Sequence, residues 1–497
     1  MMKLSELLQP FPNPLVTGDR EVDVCALKVD SRSVEKGDAF IAVTGVEADG
    51  NSYTQNAIDA GAGVIFSERP APENCTVTWV QLKNTKWALG DLAKQFHSDP
   101  SSQLKVVGVT GTNGKTTTVH LLHHIFRMTL RRAGSIGTLG FNDGTTLEEA
   151  THTTPGAEKV QEVLARMVDN DCRAAAMEVS SHALDQGRVH GVKFAAGIFT
   201  NLTQDHLDYH KTMGNYFNAK KQLFHAMADQ EGDRKPAAVI NLDDDYGEKL
   251  VEEFKDDLFT LTYGCGAHCQ VRATAVRFSF TGTQFELRYK EKTFLVRTPL
   301  IGHFNVMNSL AALAAAIAVG VRPRDAVKAL GDLSQVPGRL QLVDKFNGAA
   351  VFVDYAHTPD ALTNVCETLK SLEPEHLITV FGCGGDRDKS KRPLMAKAAS
   401  RGSDRVVATS DNPRSEEPED ILKEVKRGLG ATPYEVIVDR YEAIKLAISS
   451  AEPGDIVLIA GKGHEGYQEV KGTKHEFDDR HEARRAIMAL SEERREH

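Results

Sequence analysis

The chain has 497 residues, of which 41% are apolar, 26% charged and 7% aromatic, and a formal net charge of −10. That is the profile of a globular enzyme of roughly three domains rather than a disordered or fibrous chain. With 69 acidic against 59 basic side chains, no global field favours a polyanion, which argues against nucleic acid as a partner.

Seven cysteines, an odd number in so long a chain, do not read as a secreted disulfide framework. The stretch Met1 to Pro14 has no apolar core and is broken by Pro10, Pro12 and Pro14, so no signal peptide is expected. The longest greasy run, Leu310 to Val319, falls well short of the roughly 20 residues of a membrane span. The expectation is a reduced, cytoplasmic protein with no membrane partner, acting as a monomer.

The polar stretch Ser98 to Gln103 and the turn-rich stretch Gln335 to Arg339 divide the chain into three parts, placed at 1–100, 101–336 and 337–497. The first mixes short apolar strands (Ala39 to Val43, Gly63 to Phe66, Val77 to Leu82) with a helical pattern from Trp87 to Phe96. Its role is not legible from pattern alone. In the second, strand candidates Val106 to Val109, Ala174 to Val179, Ala195 to Phe199 and Ala237 to Asn241 alternate with helical stretches, the signature of βαβ units and a parallel sheet. From Val271 to Thr298 the side chains alternate around Thr281-Gly282-Thr283, which predicts an antiparallel hairpin. The third part repeats strand then helix at Ala349 to Val353, Leu377 to Phe381, Arg405 to Thr409, Glu435 to Val438 and Asp455 to Ala460. The fold class is α/β: a central P-loop parallel sheet with an antiparallel extension, and a C-terminal Rossmann-like doubly wound domain.

The strongest local signal is Val106 to Thr110 running into Gly111-Thr112-Asn113-Gly114-Lys115-Thr116-Thr117. An apolar strand, a glycine-rich turn and a helix start are the context of a phosphate loop. Backbone N–H groups approach phosphate oxygens, Lys115 supplies a mobile charge for the β- and γ-phosphates, and the Thr116 hydroxyl can ligate Mg²⁺. Valine stands at 109 where the common pattern has glycine, so the shorter core carries the case for a nucleoside triphosphate.

Downstream, Glu178-Val179-Ser180-Ser181-His182 and Asp205-His206-Leu207-Asp208-Tyr209-His210 each follow a buried strand. Glu178 and His206 therefore suit a hard cation beside the phosphates, although taken singly either is equally a loop cap or a solvated residue. Lys220, on the helical stretch Tyr216 to Met227, reads by base rate as part of a solvated face. Asn305 and Asn308 read as an N-cap and a helix-surface residue, and Thr153 and Thr154, just before Pro155, as caps of the following helix.

These motifs, with Gly302-His303-Phe304-Asn305-Val306-Met307-Asn308, Gly338-Arg339, Asp354-Tyr355-Ala356-His357-Thr358-Pro359 and Gly461-Lys462-Gly463-His464-Glu465, resemble the Mur ligase family in order and spacing over nearly the whole chain. The resemblance implies an ATP-dependent amide-forming ligase that extends a UDP-N-acetylmuramoyl dipeptide in peptidoglycan synthesis, by way of an acyl phosphate, with two Mg²⁺ ions. It implies that Lys220 is carbamylated and holds the second Mg²⁺ with His206 and Glu178. Asn305 and Asn308 are then implied to face the adenine, and Arg339 and Asp354 the phosphates and ribose of ATP. Val29, Ser31 and Val46, Glu47 and Ala48 are implied to hold the uridine end. Thr153, Thr154, Ser180, Gln186 and Arg188, with His152 before them, line the path of the pyrophosphate and peptide. Closure of the third domain is expected, because an acyl phosphate hydrolyses in water.

Asp411-Asn412-Pro413-Arg414 follows another strand. A guanidinium fork binds a carboxylate bidentately, so Arg414 suits an amino acid with a second carboxylate, such as meso-2,6-diaminopimelate, whereas lysine would set an ammonium against it. By resemblance Arg387, Gly461 and Glu465 complete the amino-acid site, Glu465 pairing with the distal ammonium. Arg387 also reads as a surface turn pairing with its neighbouring aspartates. Cys265-Gly266-Ala267-His268-Cys269 looks like half a zinc site but has no second Cys/His pair at the usual spacing. The rival readings are lysine as the added amino acid, a folylpolyglutamate-synthetase-like ligase, and a P-loop regulatory ATPase.

Overall fold

The structure, a computed structural model, describes residues 1–45, 48–150, 152–232 and 234–496. The chain divides into two compact units, Met1–Arg272 with Ser309–Ala329, and Ala273–Asn308 with Leu330–His497.

Besides the short pairing of Met2–Lys3 with Asp23–Val24, the first unit holds two larger sheets. In the smaller, strands run in the order Leu15–Thr17, Thr78–Gln81, Val64–Ser67, Ala39–Ile41, Leu27–Lys28. Only the first pairing is antiparallel. Val29 and Ser31 follow the carboxyl end of one strand, and exposed Ala48 lies beyond the end of its parallel neighbour. Val46 and Glu47 lie outside the described residues.

The larger sheet places Ala133–Gly137, Ala174–Glu178, Lys105–Thr110, Ala196–Phe199, Ala237–Asn241 and Phe259–Gly264 side by side, all parallel. The strands are buried on both faces, as a parallel sheet requires. Helix Ala157–Asp169 shows why the covering helices form where they do. Val160, Val163, Leu164 and Met167 recur at helical spacing and all enter the core. Helix Met213–Ala228 starts at Thr212, whose hydroxyl accepts the Asn215 N–H at 3.1 Å.

The second unit is built on a sheet ordered Gln341–Phe346, Ala349–Asp354, Ile456–Ala460, Leu377–Cys383, Arg405–Ser410, Tyr434–Ile437. All pairings but the first are parallel. The strand of this sheet that comes last in sequence, Ile456–Ala460, sits between Ala349–Asp354 and Leu377–Cys383, which makes a topological switch point there. The predicted hairpin over 271–298 is instead three strands, Val271–Ser279, Gly282–Tyr289 and Lys292–Thr298. A second turn falls at Lys290-Glu291, where Lys290 takes positive φ; the alternation continues through it, so periodicity alone missed the reversal. No helix among the described residues is long and apolar enough to cross a membrane.

Candidate active site

Four adjacent parallel strands of the first unit end together, and the candidate phosphate site is built from the residues that follow them. Gly111 has φ of 147°, and a Cβ there would collide with Thr200 Oγ1. The loop is braced from the next strand: the Thr200 hydroxyl donates to Asn113 O at 2.7 Å, and the Asn113 N–H donates to Asn201 Oδ1 at 2.9 Å. Lys115 begins helix Lys115–Leu130, and its ammonium donates to Gly111 O and Thr112 O at 2.9 and 2.8 Å.

Glu178 is 1% exposed. Its Oε2 accepts the Thr116 hydroxyl at 3.0 Å and its Oε1 the Thr138 N–H at 2.8 Å. Gly137 makes room, since a Cβ there would stand 2.5 Å from Glu178 Oε1. A hydroxyl and a buried carboxylate beside a phosphate loop are hard oxygen donors, a set that fits Mg²⁺ with part of its water shell retained.

Lys220 departs most from the sequence reading. It is 1% exposed, not solvated. The helix buries Tyr216, Lys220, Leu223, Phe224 and Met227 on one stripe, a spacing that marks Lys220 as inward-facing. Its Nζ donates to Gly111 O at 2.7 Å and lies 4.3 Å from the centre of the Tyr216 ring. Burial, and then the nearby Lys115 ammonium, hold its amine well below the ordinary lysine range.

His206 takes left-handed backbone, φ 53°, and its ring stands edge-on to His182 with centroids 4.9 Å apart. Burial, then His182, Lys115 and Lys220 against the opposing Asp205, lower its imidazole to about 4. It is therefore neutral, with a lone pair for a metal, at physiological pH.

Thr153, Thr154, Ser180, Gln186 and Arg188, assigned to the peptide path, are held by hydrogen bonds around the end of the Glu178 strand. Thr154 donates to Glu178 O at 2.8 Å and to Ser180 Oγ at 3.4 Å, and Thr138 donates to Thr153 Oγ1 at 3.2 Å. Arg188 donates to Thr154 O at 2.9 Å and, through two nitrogens, to Gln186 Oε1. The expected helix-capping role of Thr153 and Thr154 does not hold: Gly156 is the N-cap, and Thr154 ties the loop to the end of the Glu178 strand. His152 is exposed.

In the second unit, Asn305 and Asn308 are neither cap nor surface residues. They are 1% and 6% exposed, and Asn305 donates to Ile301 O at 2.9 Å while Asn308 donates to Asn305 Oδ1 at 3.1 Å. Asp354 ends its strand, buried, and accepts the Leu340 and Ala356 N–H groups. Burial raises its carboxyl to about 6, against the pull of Arg339. The Arg339 guanidinium lies over the Tyr355 ring at 4.6 Å.

The amino-acid candidates follow neighbouring strand ends. Asp411, Asn412 and Pro413 are buried, and Arg414 has φ 52°, a conformation non-glycine residues adopt at a cost. Arg414 spends one nitrogen on Gly385 O at 2.7 Å, with Nε 3.6 Å from Glu469 Oε2. Asn412 donates to Glu465 Oε2 at 3.0 Å, and the Tyr355 hydroxyl donates to Glu465 Oε1 at 3.4 Å. Gly461 follows Ala460 at positive φ. Arg387 is exposed and donates to the neighbouring Asp386 O at 3.5 Å, and its side chain borders Gly384 as the Arg414 guanidinium does. Sequence reasoning missed Lys462, whose side chain is fully buried between Asp411, Asn412 and Glu465. A lysine between two glycines directly after a wholly apolar strand was the available signal.

Among the described residues no group of three or more His, Cys, Asp or Glu side chains that could hold a metal forms around Cys265 and Cys269. The Cys265 and Gly266 N–H groups donate to the Asp243 carboxylate at 2.6 and 3.0 Å, and burial pushes the Cys269 thiol up to about 11.

Three family models match in order: "Mur ligase family, catalytic domain" over residues 24–97, "Mur ligase middle domain" over 109–316, and "Mur ligase, glutamate ligase domain" over 338–463. A UDP-N-acetylmuramoyl-L-alanyl-D-glutamate--2,6-diaminopimelate ligase of Geobacillus thermodenitrificans is 43% identical over 98% of this chain and 99% of its own. The chain belongs to the Mur ligase family. A Mur ligase of the same name from Bacteroides thetaiotaomicron is 42% identical over 96% of this chain and 98% of its own. Among solved structures, a 2,6-diaminopimelate ligase aligns over 99% of both chains at 35% identity with a TM-score of 0.72. The Mur ligase fold extends to a folylpolyglutamate synthase of Mycobacterium tuberculosis, 17% identical, which covers 76% of this chain and 92% of its own with a TM-score of 0.62.

Proposed function

We infer that this chain is an ATP-dependent ligase that joins meso-2,6-diaminopimelate to the D-glutamate γ-carboxylate of UDP-N-acetylmuramoyl-L-alanyl-D-glutamate, in peptidoglycan precursor synthesis. The observation that carries this is identity of 41–43% along essentially the whole chain to ligases bearing that name. The geometry supplies the chemistry. An oxide is a poor leaving group, so the substrate carboxylate first takes the γ-phosphoryl group, and the amine then displaces phosphate from the acyl phosphate through a tetrahedral intermediate. Lys115 and the loop N–H groups hold the phosphates, and Mg²⁺, when bound, screens the charge that gathers on the transferred group.

The assignment of individual residues is our reading. Thr116 and Glu178 would hold one Mg²⁺, and Glu178, His206 and carbamylated Lys220 a second. A buried amine held neutral is the form that adds CO₂, its nitrogen bonding the carbon and one N–H proton leaving to solvent, and the product carbamate sets an anion suited to a metal beside Lys115. Gly111 to Thr117, Asn305, Asn308, Arg339 and Asp354 would bind ATP. Val29, Ser31, Val46, Glu47 and Ala48 would take the uridine end, and His152, Thr153, Thr154, Ser180, Gln186 and Arg188 the rest of the nucleotide substrate. Arg387, Asp411, Asn412, Pro413, Arg414, Gly461 and Glu465 would receive the amino acid, with domains bounded at 1–100, 101–336 and 337–497. The free state of all seven cysteines supports a cytoplasmic setting, and no step calls for a second copy of the chain. An amino-acid panel, assayed with the UDP-muramoyl dipeptide and ATP and read by product mass, tests the reading; incorporation of lysine in place of diaminopimelate would refute the Arg414 assignment.

A further inference from the structure

We propose that Lys462 is a positioning residue that sets the amino-acid site by fixing the side chains of Asn412 and Glu465. The inference rests on the reading of those two residues as contacts to the incoming amino acid.

A terminal amide can present either its oxygen or its nitrogen, and only its partners decide which. Two donors hold the Asn412 oxygen: Lys462 Nζ at 3.0 Å and the Glu469 N–H at 3.0 Å. The amide nitrogen is thereby turned to Glu465 Oε2, which it meets at 3.0 Å. Lys462 also stands 3.4 Å from that same Glu465 oxygen and 3.5 Å from Asp411 Oδ1. One buried cation thus partners two carboxylates and leaves the cluster an excess of negative charge, available to the ammonium of an amino acid.

The ammonium has little freedom to move. Its side chain is fully buried, and the strand hairpin Tyr467–Val470 with Thr473–Glu476 packs against it, the Tyr467 ring centre lying 5.7 Å from Nζ. The same hairpin holds the other end of the loop: Gln468 Nε2 donates to Asp411 O at 2.7 Å, and the Arg414 N–H donates to Glu469 O at 3.0 Å. Lys462 therefore fixes the carboxylate end of the site relative to the guanidinium end, without itself facing the amino acid.

The test uses the full-length protein and whichever amino acid the wild type incorporates. Lys462→Met should raise the KM for that amino acid by about 10- to 100-fold, the range that supporting partners of a site carry, while the KM for ATP stays within about threefold. Lys462→Arg, which keeps the charge, should recover part of the loss. Should the Met variant lack a cooperative melt, the Arg variant decides: its amino-acid KM must rise by about threefold or more with ATP unaffected. Equal changes in both KM values, a fall in kcat alone, or no change would overturn the proposal. Incorporation of a different amino acid by the wild type would refute the diaminopimelate reading and leave the Lys462 comparison to be made with that amino acid.

Discussion

Lys115 and Lys220 donate to the same backbone oxygen, Gly111 O, at 2.9 and 2.7 Å. Two like charges meet there although Lys220 is 1% exposed, an arrangement that is unfavourable unless one of them is neutral or chemically altered. Burial, and then the Lys115 ammonium, favour the neutral amine at Lys220, which relieves that conflict.

Replacing Lys220 with alanine should cost about 100-fold or more in kcat, the scale of losing one electrostatic stabiliser. Small carboxylates or bicarbonate-independent carboxylate analogues should restore part of it by occupying the space of the carbamate. Full activity in the variant would remove Lys220 from the chemistry.

Gly137→Ala perturbs the proposed metal site by pressing on Glu178, while every proposed ligand keeps its identity. The new Cβ would stand 2.5 Å from Glu178 Oε1 and displace the carboxylate from the Thr138 N–H. The Mg²⁺ concentration for half-maximal activity should rise by about tenfold or more, as for loss of an outer-shell contact. An unchanged Mg²⁺ curve would show that Glu178 does not act through the metal.

Asp354 gives a pH signature. Its carboxyl is raised from 3.8 to about 6, chiefly by burial. Between those values the folded chain keeps a proton that the unfolded chain has released. Stability therefore falls as pH rises from about 4 to about 6, by at most about 3 kcal/mol, and stays low above that. Urea midpoints across this range should slope in the wild type and flatten in Asp354→Asn; identical slopes would contradict the assignment.

Arg414→Ala should weaken use of diaminopimelate by about 2–5 kcal/mol, the effect of losing one partner of a buried charge pair, with ATP binding unaltered. The guanidinium already gives one nitrogen to Gly385 O, so the variant also loosens the loop.

Much of this architecture was legible in the sequence. Ala237–Asn241 appears as read, and the other strands named from the sequence in the two parallel sheets lie within a few residues of their predicted ends, most of them because a strand buried on both faces leaves a continuous apolar run; Ala133–Gly137 and Phe259–Gly264 in the larger sheet were not read. The phosphate loop was legible because backbone approach to an anion demands glycine. Polar residues turned inward were not. Lys220, Asn305, Asn308 and Lys462 carry no local mark of burial except their helix face or a flanking apolar strand, and base rates send such side chains to solvent. The family resemblance supplied roles for the first three; Lys462 emerged only from the packing around it.

The most direct test of the account is phosphate release measured with ATP, the UDP-muramoyl dipeptide and each amino acid in turn, with product mass read alongside. The account predicts that phosphate appears only when both the dipeptide and diaminopimelate are present, and that the product gains one diaminopimelate residue for each phosphate released. Turnover with ATP alone, or a product carrying lysine instead, would contradict it.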